Sequence, residues 1–211
     1  MAITSQDRLG IYNDALTRLG SRRLASLSEN REPRRVLDDV WGAGNALARY
    51  MLERGEWNFA IRTGEMEYSP SVEPEFGFRR AFDKPDDFVR LAGLSADPYF
   101  RQPLTSGQYV DEATFWFSDH DTIYVRYVSD GDDYGFNSAG WTEGFRVALA
   151  CRMAWLACER LTNSASRRQT LEGEMLRELS AAKSHDAMAE GAKFLPQGSW
   201  LRARSGGKLR P

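Results

Sequence analysis

Between Val147 and Cys158 the chain carries a single charge, Arg152, in a stretch that otherwise alternates Ala, Cys, Leu, Met and Trp. A helix that is apolar on nearly all sides cannot lie on a surface, so other helices must enclose it. Its small residues (Ala148, Ala150, Cys151, Ala154, Ala157 and Cys158) let those neighbours approach closely. The spacing of apolar residues supplies three candidates. Leu9, Tyr12, Leu16 and Leu19 recur at helical intervals after Ser5, a suitable N-cap, and before Gly20 in the C′ position. Val36, Val40, Ala43, Leu47 and Tyr50 read as one continuous second helix, opened by Asn30 and Pro33 and stopped by Gly55. Leu171, Met175, Leu179 and Ala182 mark the fourth over about 165–190, behind the central third helix, for which Asn137 or Ser138 is the expected cap.

From Trp57 to about Val128 helical periodicity gives way to aromatic residues alternating with polar ones, punctuated by Pro, Gly and Asp. Thr114–Phe117 and Thr122–Val128 flank Asp119-His120-Asp121 and read as a β-hairpin. Residues 65–68, 76–81, 88–91 and 99–104 are weaker strand candidates, and Pro85-Asp86-Asp87 predicts a turn before Phe88. The expected fold class is therefore α+β: a four-helix bundle, two helices N-terminal and two C-terminal, interrupted by a small antiparallel β subdomain. The corresponding parts are residues 1–56 (first helical half), 57–137 (β insertion), 138–190 (second helical half) and 191–211 (an extended C-terminal tail).

Charge is unevenly spread along a nearly neutral chain, with Lys+Arg 28 against Asp+Glu 30. That balance argues against a general nucleic-acid binder, which needs surplus cations to displace counterions. Residues 111–133 nevertheless hold seven carboxylates (Asp111, Glu112, Asp119, Asp121, Asp130, Asp132 and Asp133) against Arg126 alone, while residues 191–211 hold five basic residues and no acid. Unpaired burial of so many carboxylates is prohibitive, so the acidic stretch is expected on the surface. Opposite charge in two regions suits pairing with a neighbouring copy or an oppositely charged partner. The tail also places Phe194, Leu195, Trp200 and Leu201, with Arg202 and Arg204, among Gly, Ser and Pro residues that build no core. Such anchors order against a partner surface or, alternatively, fold back on their own domain.

No catalytic constellation emerges. His120 and His185 lack neighbours at metal-ligand spacing, and Cys151 and Cys158, seven residues apart on one helix face, read as reduced core thiols. The Ser205–Lys208 segment lacks the first glycine and the flanking strand and helix of a phosphate loop. The aspartates at 130–133 lack the closing glutamate of a calcium loop. The expectation is a non-enzyme with no cofactor and no metal. The N-terminus lacks a signal-peptide layout and no run approaches the ~20 apolar residues of a membrane span, so no membrane association is expected.

Several segments, taken in order, carry a resemblance: Ala15–Gly20, Arg23–Glu29, Leu52–Ala60 with its Trp57-Asn58-Phe59-Ala60, Phe82–Leu91 with Pro85-Asp86-Asp87-Phe88-Val89-Arg90-Leu91, Tyr124–Val128, and Gly198–Arg204. In that order the chain resembles, over nearly its whole length, the tail tubular protein A family of bacteriophages, which includes head-to-tail adaptors. The resemblance implies a structural protein of the virion neck, made in the bacterial host cytoplasm. It implies a twelvefold homo-oligomeric ring between the portal protein and the nozzle, stopper or tail-tube protein, with genomic DNA passing through its lumen without sequence-specific binding. By position, Phe194, Leu195, Trp200, Leu201, Arg202 and Arg204 become portal contacts. Asp119, Asp121, Asp130, Asp132 and Asp133 become an acidic patch on the lumen or toward the tail. Phe82-Asp83-Lys84-Pro85 departs from the family, where a more apolar residue precedes the proline.

Two other classes compete. One is a small regulatory binding module whose tail docks on a single partner, separable by assembly mass. The other is a hydrolase or nuclease built on the acidic loop, separable by metal dependence.

Overall fold

The structure, a computed structural model, describes residues 2–189. Five α-helices and six strands follow one another as α1 (Ser5–Arg18), α2 (Glu32–Trp41), α3 (Ala46–Glu53), β1 (Ile61–Glu67), β2 (Arg80–Asp83), β3 (Phe88–Ser95), β4 (Tyr109–Asp111), β5 (Phe115–Ser118), β6 (Thr122–Ser129), α4 (Glu143–Thr162) and α5 (Ala165–Ala189). The α+β class stands, but the expected four-helix bundle does not. The stretch read as one second helix is two, because the chain breaks where Gly42, Gly44 and Asn45 take left-handed φ values of 76°, 63° and 59°. The Trp41 indole N–H donates to Asn45 Oδ1 at 2.9 Å and fastens the break. Apolar spacing alone concealed it, since Ala43 and Leu47 keep the helical interval across the kink.

The consequence is a different arrangement of helices. α4 packs against α1, α2, α3 and α5, so it is the axis of a five-helix layer rather than one of four equal members. Its residues Phe145, Ala148, Leu149, Ala150, Cys151, Met153, Ala154, Ala157 and Cys158 are all buried. α4 and α5 are joined through Asn163, whose left-handed φ of 49° ends α4. A Cβ on Gly144 of α4 would lie 3.2 Å from the Ala182 Cβ of α5, so the two helices pack closely there. The caps differ from expectation too. Thr4 and Thr142 open α1 and α4 by accepting from the Asp7 and Phe145 N–H groups, whereas Asn137 caps a preceding 3-10 turn at Ser138–Gly140. α2 begins at Arg31 with no side-chain cap, and Pro33 sits in its first turn.

The β part is two three-stranded antiparallel sheets, ordered β1-β6-β3 and β2-β5-β4. β5 and β6 do not form the expected hairpin: the turn at Asp119–Asp121 passes the chain from one sheet to the other. The sheets share a small core of Phe82, Leu94, Trp116, Ile123, Val125 and Tyr127. Ile123, Val125 and Tyr127 alternate along β6 and face that core, while Val128, on the opposite face, joins the helical core. β6 is thus buried from both sides at its C-terminal end. The candidate at 99–104 forms no strand, contributing an isolated bridge from Pro103 to Ser95, and β4 was not anticipated.

Candidate interaction surfaces

The two most specific pieces of the sequence, Trp57–Ala60 and Pro85–Leu91, both fold onto the line where helices meet the first sheet. Trp57 is buried with its indole N–H donating to the Met51 carbonyl at 3.0 Å, and its ring lies edge-on to Phe145 at 4.9 Å. Phe59 and Trp141 complete the aromatic cluster around Phe145, each at 5.0 Å. The Asn58 N–H donates to the buried Asp186 carboxylate at 2.9 Å, and its amide nitrogen donates to the Asp186 carbonyl at 2.7 Å, tying the end of α5 to this corner.

Asp87 organises the opposite corner. Its carboxylate accepts from Tyr127 Oη at 3.0 Å, from Arg62 at 2.8 Å and from Ser129 Oγ, while its carbonyl accepts from the Asp130 N–H at 3.0 Å. Burial pushes this carboxyl upward, but the hydrogen bonds from Ser129, Arg62 and Tyr127 outweigh it and hold it below the usual carboxylate range. Arg49 of α3 pairs with Asp130 and donates to the Phe88 carbonyl at 3.1 Å. Burial nonetheless raises Asp130, since the Arg49 attraction is opposed by repulsion from Asp87.

The sequence-predicted acidic residues do not form one patch. Asp119 and Asp121 stand at the β5–β6 turn, where Arg79 donates its backbone N–H to the Asp119 carboxylate at 3.1 Å and Arg80 pairs with Asp121 at 3.0 Å. Asp130, Asp132 and Asp133 lie beyond the other end of β6, eight residues away along the strand, or roughly 25 Å at ~3.3 Å per residue. Asp130, with its side chain 11% exposed, belongs to the junction rather than the surface. Asp132 and Asp133 are exposed and, with Asp86, Asp87, Arg62 and Tyr134, line an open acidic cleft of about 590 Å³. The tail residues Phe194, Leu195, Trp200, Leu201, Arg202 and Arg204 lie outside the described residues.

Two surfaces escaped the sequence reading. An apolar groove of about 410 Å³ runs beside the β2-β5-β4 sheet between Pro74, Phe76, Phe78, Val110 and Phe117, with Phe76 88% exposed. Its signal was Phe76-Gly77-Phe78 just after Pro74-Glu75, a short aromatic loop rather than a strand. The second is a row of arginines and aromatic rings on the helices: Arg54 over Tyr50, and Arg152 over Tyr50 and Trp155. Both thiols are buried and free; burial pushes Cys151 up to about 11.

Among the described residues no group of three His, Cys, Asp or Glu side chains is placed to hold a metal ion, and no helix is long and apolar enough to cross a membrane. No family model matches the chain, and no curated protein is similar to it at a significant level.

Proposed function

We propose that this chain is a structural adaptor of a bacteriophage virion neck, one subunit of a ring that joins the portal to the tail and surrounds the DNA exit channel. The observation that carries the reading is the ordered set of segments resembling the tail tubular protein A family, running from Ala15 to Arg204. The fold lends support in one particular. Trp57–Ala60 and Pro85–Leu91, the most distinctive of those segments, are the residues that fix the sheet to the helices, where a shared architecture most constrains side chains.

In this reading the helical layer around α4 builds the ring, and the tail residues Phe194 to Arg204 reach the portal. The β insertion, with its exposed apolar groove at Phe76 and Val110, meets the nozzle, stopper or tail-tube protein. Exposed apolar area of that kind marks a docking surface more often than bare solvent contact. The exposed carboxylates Asp119, Asp121, Asp132 and Asp133 suit a channel that DNA must traverse without adhering, because phosphates are repelled by carboxylates.

Electron microscopy and analytical sedimentation of the purified protein, alone and with its portal, test the proposal. Ring-shaped particles of about twelve copies on the portal are expected. Strictly monomeric behaviour in both preparations, or a one-to-one heterodimer at saturation, overturns it.

A further inference from the structure

We propose that Tyr50, Arg152 and Trp155 form a docking site for a carboxylate on a second copy of this chain. The proposal rests on the ring reading above and names the contact by which neighbouring subunits join.

The starting point is an arginine without a match. Arg152 is the one charge of α4 between Val147 and Cys158 and is half-buried there. Its guanidinium lies over the Tyr50 ring at 4.6 Å and the Trp155 ring at 4.8 Å. Nη1 points at the Met175 sulfur, 3.6 Å away and a weak acceptor, while Nε is buried with no acceptor. The Trp155 indole N–H beside it is also buried and without an acceptor. Among the described residues no carboxylate pairs with Arg152. Buried cations are ordinarily matched by an anion, because desolvation otherwise goes uncompensated. Two aromatic faces supply part of that compensation. They also fix the plane of the guanidinium; with Nε buried and one Nη1 proton directed at Met175, the end of the fork formed by Nη2 and the second Nη1 proton is what remains for a carboxylate arriving from outside.

The surroundings have the makings of an interface. The stack continues at both ends, with Arg54 over Tyr50 at 4.5 Å and Arg168 over Trp155 at 5.2 Å, so three cations and two rings alternate across α3, α4 and α5. Leu156, 37% exposed, lies next to Trp155. Trp, Tyr and Arg are the side chains that most often dominate binding energy.

Charge complementarity identifies the occupant. The chain itself presents an acidic cleft in which Asp86, Asp132 and Asp133 are exposed. That cleft is tied to α3 through Arg49 and Asp130, whereas the stack is built on Tyr50. Cleft and stack are separate patches, the cleft built on β1, the turn before β3 and the loop after β6, the stack on α3, α4 and α5. A neighbour can therefore offer its cleft to this stack, and a patch that meets a different patch propagates from copy to copy and closes into a ring.

Complementary charge reversal tests this. Arg152→Glu sets an acidic stack against an acidic cleft, and Asp86→Lys with Asp133→Lys sets a basic stack against a basic cleft. Each preparation alone is expected to self-associate roughly thirtyfold or more weakly than wild type by sedimentation. Mixing the two is expected to restore assembly, since each then supplies the surface the other needs. Leu156→Asp, an exposed change outside the stack, is expected to weaken assembly with an unchanged melting temperature, and covers the case in which Arg152→Glu fails to fold. Wild-type-like assembly of either charge-reversed protein, or no recovery on mixing, overturns this contact while leaving the ring standing. A wild type that is monomeric with and without portal overturns both. Restoration of Arg152→Glu assembly by portal alone, or loss of duplex DNA binding as the variant's main defect, assigns the stack to another partner and also overturns the proposal.

Discussion

Arg49 and Asp130 lie 81 residues apart in the chain and form the ion pair that joins α3 to the end of β6. The pair sits in a web in which Asp87 serves as hub: Arg62 from β1, Tyr127 and Ser129 from β6, and the Asp130 N–H all donate to it. In the adaptor proposed above, transmitting load between two larger assemblies requires the two halves to move as one body. This web and the Asn58–Asp186 bonds at the other corner are the polar fastenings that serve that end.

The two aspartates of the web have shifts of opposite direction and should respond unequally to neutralisation. Asp87 is held below its ordinary value, so the stability it contributes is fully present above the unfolded-state range near pH ~4 and lost as pH falls through the folded value. Asp87→Asn is expected to cost about 1.5–3 kcal/mol at neutral pH, the worth of hydrogen bonds to a charged group, with the gap to wild type closing in acid. Asp130 is raised by burial, so its ionised form costs stability as pH rises through the window above the unfolded value. Asp130→Asn removes that cost along with the attraction of the partly exposed Arg49, and a net change within about 1 kcal/mol is expected. Urea denaturation between pH 3 and 8 measures both; equal losses at neutral pH contradict the assignment.

Two glycines give a second, opposed pair. A Cβ on Gly135 would lie 2.2 Å from the Ser129 carbonyl oxygen and 2.6 Å from Leu52 Cδ1, where the loop after β6 presses on α3. Gly135→Ala is therefore expected to destabilise by about 1–3 kcal/mol or more, as overpacking does. Gly173, exposed in α5, has nothing within 4 Å of its Cβ position. Gly173→Ala is expected to stabilise by roughly 0.5–1 kcal/mol through helix propensity. Thermal melts of the two variants should move in opposite directions.

The thiols are packing groups. Cys151 and Cys158 are buried on α4, and Cys158 Sγ lies 3.2 Å from Thr162 Oγ1. With Cys151 pushed up to about 11 by burial, its thiolate is scarce at neutral pH, and alkylation of the folded protein is expected to be slow until urea is added. Replacing both with alanine should cost on the order of 1–2 kcal/mol per site and leave assembly intact. Rapid labelling of the native protein contradicts this.

What the sequence made legible follows from where the physics is local. α1, α4 and α5 announced themselves because burial on one face, or on all faces, repeats every turn. The kink at Gly42–Asn45 was hidden because apolar residues kept helical spacing on both sides of it, so periodicity could not register a change of axis. The turn at Asp119–Asp121 looked like a hairpin because alternation reveals a strand but not its partner; only the shared core of Trp116 with Ile123 and Val125 decides that the strands face each other across two sheets. Among the candidate residues, Asp132 and Asp133 are on the surface as their charge required. The junction of Arg49, Asp87 and Asp130 depends on contacts far apart in sequence and left no pattern to read.

The tail offers the sharpest separation of folding from function. Among the described residues, those that form the buried clusters run from Ile11 to Ala182, and the end of α5 is held at Asp186 by Asn58. A chain stopped after Ala189 therefore keeps every one of those buried groups and should melt within a degree or two of the full-length protein, the shift that a change of well under 1 kcal/mol gives at this size. In the proposed adaptor the same truncation removes Phe194, Leu195, Trp200, Leu201, Arg202 and Arg204 and is expected to abolish co-sedimentation with the portal. Trp200→Ala alone should cost about 2 kcal/mol or more of docking energy per subunit, the scale of an interface hot spot, and repetition around a ring multiplies the loss. A truncated protein that unfolds places the tail in the core, and one that still binds the portal moves that interface elsewhere on the chain.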